Sequence, residues 1–421
     1  MQTERPRVVI TGMHLITPFG DGIEAFWHGL LSAKSAIAPI TSFEPAGFRT
    51  PIAGEIPPGD RARVHAEAAW AGMDETSKLG LWCAAEAVRH AGLSVEQLRA
   101  ANAGCSIASL GGEEREGDYL AGEPWQACPA PAVLERSYHL ATVRVARLLR
   151  LPGPCVAFTN ACIAGTTAIG FGLDTLRAGH SSIFVAGAVS DVSRLEQARF
   201  DALRALTAGT YCPFDRRRSG LLLGEAGAVL ILETYDSARR RGAAMQAEIL
   251  GYGQSCDASS ITRPNPTGAG LARAMRAALD DAAVRADEID YINAHGTGTR
   301  HNDSAETRAV KTIFGRRARA IPISTIKPFI GHTTASASAV ELIACILSLQ
   351  HGMVPPTLNY AEPDKDCDLD YVPNLPRRAE LRIAMSNSAG FGGSNASIIV
   401  AGSPRDRERP RRRKGRAREE G

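Results

Sequence analysis

The sequence predicts an α/β protein built from two similar passes of chain. Short β-branched or apolar runs alternate with helix-forming stretches along the whole body. The alternation begins again after Arg239-Arg240-Arg241-Gly242, near the midpoint. The 421 residues, 44% hydrophobic and 22% charged, are enough for a large core in two domains or two halves of one.

In chain order, residues 7–12 read as a strand, because Val8, Val9 and Ile10 are β-branched and precede a glycine. Residues 23–32 and 76–90 read as helices, 104–110 as a strand and 138–148 as a helix. The apolar run 154–158 reads as a buried strand, and 161–176 follows with apolar and small residues at helical spacing. Residues 182–188 and 225–233 complete the first pass as strands. The second pass runs strand 247–253, helix 268–283, strand 289–294, helix 304–314, strand 321–326, helix 335–351 and strand 396–401. Each pass holds a strand-to-turn element of small residues, at 161–165 and at 388–394, which points to internal duplication. The expected boundaries are 1–242, 243–403 and a tail at 404–421.

Composition removes several classes of function. Nine cysteines without a CxxC pair suggest neither a zinc knot nor a disulfide framework, and they suit a reducing, cytoplasmic setting. No apolar run approaches a membrane span or fits a signal peptide, so no membrane role is expected. The net charge of +3 misleads, because residues 405–421 carry +5 and the body −2. That tail, with Arg411-Arg412-Arg413-Lys414, is expected to be disordered and solvated, and no nucleic-acid partner is expected.

The chemistry starts from Cys162. A strand, a tight turn, a cysteine and then a helix place a thiol at a helix N-terminus, where dipole and unpaired N–H groups favour the thiolate. Such a thiol is a nucleophile, although a free cysteine is also an ordinary small hydrophobe. His295 ends a strand in Asn293-Ala294-His295-Gly296-Thr297-Gly298-Thr299. Lys327 and His332 lie five apart across a turn after strand 321–326. Glu306 sits at a helix start, where it could hold a nearby cation. Gly390-Phe391-Gly392-Gly393 is a flexible loop carrying one bulky residue. Singly these are an ordinary loop histidine, a surface lysine, a capping histidine and a solvated charge. Together they make an acyl-transfer site: a thiol, two histidines, a lysine–carboxylate pair and a loop offering backbone N–H groups. No GxSxG elbow, papain-like signature or phosphate-binding glycine motif competes.

The order Cys162, His295, Lys327, His332 and the GFGG loop resembles the elongating β-ketoacyl-acyl-carrier-protein synthases (ketosynthases), condensing enzymes of the thiolase superfamily. Segments 8–13, 212–215, 224–227 and 368–374 support it, and the resemblance covers residues 7–401. It implies a thiolase-like five-layered αβαβα fold from two duplicated halves. It implies ping-pong acyl transfer, with the acyl group on Cys162 and a malonyl thioester losing carbon dioxide to attack it. His295 and His332 carry over as donors to the enolate, and Lys327 as an electrostatic support tied to Glu306. The backbone N–H groups of Cys162 and Phe391 carry over as the oxyanion hole, with Phe391 as acyl gate. Thr297, Thr299 and Thr262 resemble pantetheine-contacting hydroxyls. The resemblance implies no metal and no dissociable cofactor, because substrates arrive on the phosphopantetheine of an acyl carrier protein. It implies a homodimer, or a heterodimer with a homologous chain-length-factor-like subunit. That non-elongating subunit is the alternative reading of the chain itself, but such relatives lack the cysteine.

The chain departs from that pattern in three places. Ile163 stands where many relatives carry serine or threonine. Ala335-Ser336-Ala337-Ser338 replaces a common Gly-Ala-Ala-Gly, and Ala389 replaces a common phenylalanine. These departures point to specialised polyketide or polyene synthesis rather than bulk fatty acid synthesis.

Overall fold

The chain is described by a computed structural model covering residues 5–110 and 137–404. The tail expected to be disordered lies outside the described residues from 405 onward, as do Gly111 and Gly112. The principal strands are β1 (Val8–Thr17), β2 (Gly104–Ala108), β3 (Ile183–Ser190), β4 (Ala226–Thr234), β5 (Ala247–Cys256), β6 (Tyr291–Asn293), β7 (Ile323–Ser324), β8 (Ile383–Gly390) and β9 (Ser394–Gly402). The principal helices are α1 (Ile23–Leu31), α2 (Glu75–His90), α3 (Leu140–Leu148), α4 (Ala164–Arg177), α5 (Arg194–Ala202), α6 (Ala269–Ala282), α7 (Arg300–Phe314) and α8 (Ala337–His351).

The strands form one path in the order β7-β6-β8-β9-β5-β1-β4-β3-β2. Segment 154–158 runs beside β2 at the outer end, bridging Cys105 to Cys155 in parallel. The two halves then have the same strand order and polarity. In the second half, β7, β6 and β8 are parallel, β9 is antiparallel to β8, and β5 is antiparallel to β9. In the first, the edge segment, β2 and β3 are parallel, β4 is antiparallel to β3, and β1 is antiparallel to β4. The halves join where Val8, Val9 and Ile10 pair antiparallel with Ile249, Glu248 and Ala247. The expected duplication is therefore a duplication of topology.

Helices α4 and α8 occupy equivalent places in the two halves and pack on each other. Helix α4 rests on β2 and β3 and also touches β9, while α8 rests on β8 and β9 and reaches β4. They form the middle layer between the sheets. Helices α2 and α3 cover the first sheet, and α6 and α7 the second, giving five layers. The three largest apolar cores among the described residues lie between the sheets and under each outer layer.

Three local expectations change. Segment 154–158 is not a buried strand: Cys155 is exposed and Val156, Ala157 and Phe158 are only half-buried at the sheet edge. Strand β8 has no counterpart among the expected elements, because Ser386-Asn387-Ser388 lacks an apolar pattern. It is central all the same, and its asparagine is held internally: Ser397 donates to the Asn387 side-chain oxygen at 2.8 Å. Helix α5 is likewise absent from the sequence reading. Its start is capped by Ser193, which accepts from the Glu196 N–H, and it carries Phe200 inward.

Gly12 and Gly251 are each the fifth residue of a ten-residue strand that opens a half. A β-carbon at Gly12 would lie 2.3 Å from the Ala87 carbonyl of α2, and one at Gly251 would lie 2.4 Å from the Ala282 nitrogen of α6. In both halves an outer-layer helix, α2 or α6, presses directly on the first strand. Gly12→Ala and Gly251→Ala are each expected to cost about 1–3 kcal/mol through overpacking. Thermal denaturation checks this, and an unchanged midpoint would contradict the close approach.

Candidate active site

The chain leaves the edge segment and turns sharply before α4. Ala161 holds φ at 55°, a left-handed conformation that a β-carbon disfavours, and Cys162 follows in a single 3₁₀ turn. The turn presents the buried Cys162 at the start of the middle-layer helix. Gly390 of β8 lies against it: a β-carbon there would sit 3.3 Å from the Cys162 nitrogen. The glycine loop is thereby laid on the nucleophile elbow.

The second half supplies the other groups. The His332 Nε2 stands 3.1 Å from the Cys162 Sγ. The His295 ring, just beyond β6, meets the His332 ring edge to face at 5.4 Å. Lys327 donates to the His295 carbonyl at 2.6 Å, and its Nζ lies 3.4 Å from the His295 Nδ1. The structure thus brings Cys162, His295, Lys327 and His332 into one cluster.

Glu306 does not pair with Lys327 as expected. The carboxylate bonded to Lys327 is Glu341, on α8. Glu306 instead accepts the backbone N–H groups of His295 at 2.8 Å and Gly296 at 2.9 Å, with Asn387 beyond it at 3.5 Å. It shapes the histidine loop, and Glu341 neutralises the ammonium. A signal for Glu341 existed: it is the one Asp, Glu, Lys or Arg in the helix ASAVELIACILSLQH. A lone carboxylate in a buried apolar helix requires a partner.

A cavity of about 350 Å³ opens onto this cluster. Cys162, His295 and His332 lie at its base, and Thr297 and Thr299, their hydroxyls 3.0 Å apart, line its wall. Thr262 lines it from an exposed loop, and Ala389 faces it beside the glycine loop. Phe391 packs on Phe200 of α5 with ring centroids 5.9 Å apart. The Gly392 N–H donates to the Ile261 carbonyl at 2.6 Å, tying the glycine loop to the loop carrying Thr262. Exposed Arg204, Arg263 and His301 make the mouth basic.

Burial sets the protonation states. It pushes the Cys162 thiol up to about 12, reinforced by Glu196 and Glu341 and opposed by Lys327. The helix N-terminus does not prevail, and the expected resting thiolate is replaced by a neutral thiol. Burial holds both imidazoles well below the usual histidine range; Lys327 acts in the same direction on each, as does His332 on His295. Burial also lifts Glu306 to about 7 against its two backbone N–H bonds. At neutral pH the nucleophile pair is therefore a thiol facing a neutral imidazole.

Donor atoms of Cys162, His295 and His332 lie within 4.8 Å of one another, a set that zinc could in principle use. The Lys327 ammonium beside His295 opposes a further positive charge there. The donor set fits proton transfer better than cation binding.

The chain is similar to known proteins over nearly its whole length. Residues 5–238 match the family profile for the beta-ketoacyl synthase N-terminal domain, and residues 246–361 match that for the C-terminal domain. The tetracenomycin polyketide synthase ketoacyl synthase alpha subunit of Streptomyces glaucescens is 37% identical, covering 94% of this chain and 97% of that protein. Nodulation protein E of Rhizobium meliloti (strain 1021) is 37% identical, covering 93% and 98%. Among solved structures, the ishigamide ketosynthase/chain length factor is similar at a TM-score of 0.89 and 38% identity, covering 95% of this chain and 100% of that one. A type II PKS acyl-carrier protein in complex with its ketosynthase bound to the hexaketide is similar at 0.85 and 28% identity, covering 95% and 100%.

Two outcomes follow from the buried charges. Alkylation of Cys162 by iodoacetamide, followed by intact mass, should keep rising from about pH 7 to about pH 10, because its thiol titrates near 12. A plateau below about pH 8.5 would instead indicate a stabilised thiolate. Glu341→Ala leaves Lys327 without its carboxylate and should destabilise the fold by about 3–5 kcal/mol, read as a lower thermal midpoint.

Proposed function

Because the chain belongs to the beta-ketoacyl synthase family, we propose that it is the elongating ketosynthase of a type II polyketide pathway. It would join an acyl group held on Cys162 to a malonyl group carried by an acyl carrier protein. The observation that carries this reading is the Cys162 Sγ–His332 Nε2 contact of 3.1 Å, set at the base of a cavity beside a second histidine.

In the first half-reaction, Cys162 attacks the carbonyl carbon of an acyl-carrier thioester. The His332 imidazole is unprotonated in this buried site, so its Nε2 is free to take the thiol proton as the new bond to sulfur forms. The bond from the carbonyl to the pantetheine sulfur breaks, and that sulfur leaves with the proton. The backbone N–H groups of Cys162 and Phe391 would hold the transient oxyanion. In the second half-reaction, the malonyl carboxylate leaves as carbon dioxide and its bonding pair passes to the thioester enolate. The enolate carbon then attacks the Cys162 thioester, forming a carbon–carbon bond and breaking the carbon–sulfur bond, and the released Cys162 thiolate takes one proton from solvent.

The enolate oxygen needs donors, and Lys327 makes His295 one. An ammonium facing the His295 Nδ1 favours the tautomer with its proton on Nε2. His295 then offers an N–H while staying neutral. His332 is the second donor when its neutral ring carries the proton on Nε2, the tautomer opposite to the one that accepts from Cys162. Lys327, held by Glu341, is a positioning group rather than a base. Phe391, resting on Phe200, acts as the gate. Thr297, Thr299 and Thr262 receive the pantetheine arm, and Glu306 keeps the His295 loop in place. No metal and no dissociable cofactor enters these steps.

The basic mouth formed by Arg204, Arg263 and His301 suits an acidic carrier protein. Polyketide relatives of nearly equal length favour specialised metabolism. The ishigamide neighbour favours pairing with a homologous chain-length-factor-like subunit over a simple homodimer. A cytoplasmic setting fits the eight described cysteines, all unpaired, and among the described residues no helix is long and apolar enough to cross a membrane.

Incubation with acyl-carrier thioesters and intact-protein mass measurement tests the reading. Acyl mass should appear on the wild type and vanish in Cys162→Ala. His295→Ala should still load acyl groups while malonyl decarboxylation falls about 100-fold. No adduct from any carrier thioester would favour the non-elongating partner role, and an adduct persisting in Cys162→Ala would overturn the assignment.

A further inference from the structure

Two of the departures noted in the sequence meet at the nucleophile. Helix α4 starts at Ala164, so Ile163 occupies its N-cap position and makes no side-chain cap bond. An N-cap side chain normally accepts from the second or third N–H of its helix, which isoleucine cannot do. The third N–H here belongs to Thr166, and it donates to the Ser338 Oγ at 2.8 Å. Ser338 lies 172 residues away, on α8 in the other half.

We infer that Ser338 caps the nucleophile helix in trans and is a positioning residue for Cys162. The hydroxyl that a helix start ordinarily finds close by in its own chain segment is supplied here by the facing helix.

The surroundings match this role. A β-carbon on Gly165 would come within 2.7 Å of the Ser338 Oγ, so the two helices meet at backbone range here. Ser338 also lies one turn before Glu341 on α8. One face of one helix therefore holds Lys327, and through it His295, while also holding the Cys162 elbow. The adjoining segment is tied to the first half as well. Thr334 donates to the Ser190 Oγ at 2.9 Å, and the Ser336 N–H reaches the same oxygen at 3.1 Å. These bonds set the cysteine-bearing half against the histidine-bearing half, and so the separation of Cys162 from His332.

The inference requires only that Cys162 be the reactive thiol, not that malonyl condensation be the reaction. Its test is therefore the rate of Cys162 alkylation by iodoacetamide at fixed pH, followed by intact mass, with thermal midpoints measured alongside. Ser338→Ala should slow alkylation about fivefold by leaving the Thr166 N–H without its acceptor. Ser338→Thr keeps the acceptor hydroxyl and should react within about twofold of wild type. A role in packing alone would be upset by the larger threonine and spared by alanine. Wild-type alkylation in Ser338→Ala would overturn the inference. So would slowed alkylation in a folded Ser338→Thr. If Ser338→Ala does not fold, Ser338→Gly, which also removes the acceptor, must slow alkylation, and a wild-type rate in it would overturn the inference.

Discussion

The middle helix layer is enclosed by two sheets, and that enclosure governs the chemistry of the site. The starts of α4 and α8, where Cys162, His332 and Lys327 meet, are almost wholly buried. A charge in such a place is tolerated only with a partner. Lys327 consequently requires Glu341, and the thiol and both imidazoles remain neutral. A solvent-exposed copy of the same residues would have different protonation states.

A neutral pair is well matched to acyl exchange. A permanent thiolate–imidazolium would be costly in a low-dielectric cavity, whereas a thiol beside an imidazole forms that ion pair only as the carbonyl is attacked. The fixed positive charge on Lys327 lowers both histidines and partly stabilises the thiolate when it forms. It also orders the His295 tautomer. One buried ammonium thus affects the nucleophile, both imidazoles and the tautomer of His295, and it does so without direct contact with Cys162.

The duplication divides the work. Both halves run a short edge strand into a turn and then a central helix. In the first half the turn presents Cys162, and in the second it presents Lys327 and His332. The equivalent helices α4 and α8 bring the two turns together, and hydroxyls from Ser338, Thr334 and Ser190 close the seam. Sites between repeated units need such cross-ties, because neither half alone fixes the distance between its groups and those of the other.

Local pattern was enough to mark Cys162, His295, Lys327, His332 and Phe391, because each stands in a small-residue turn after a strand-like run and the order is distinctive. It was also enough for most elements, since β-branched runs and helical spacing are short-range properties. Partners and protonation were decided elsewhere. Glu306 precedes Lys327 in a suggestive helix start, yet Glu341 holds the lysine because α8 alone brings a carboxylate to that side of the site. Strand β8 was hidden by its serines and asparagine, whose polar side chains break the apolar pattern and whose partners, such as Ser397 and Glu306 for Asn387, come from other elements. The thiol looked ready to ionise at a helix start, and burial between the two sheets raised it instead. Sequence sets what a residue can do over a few positions of chain. Which charge it meets, and how deeply it is buried, depends on how separate segments fold onto one another, whether 14 residues apart, as Lys327 and Glu341, or 170 apart, as Cys162 and His332.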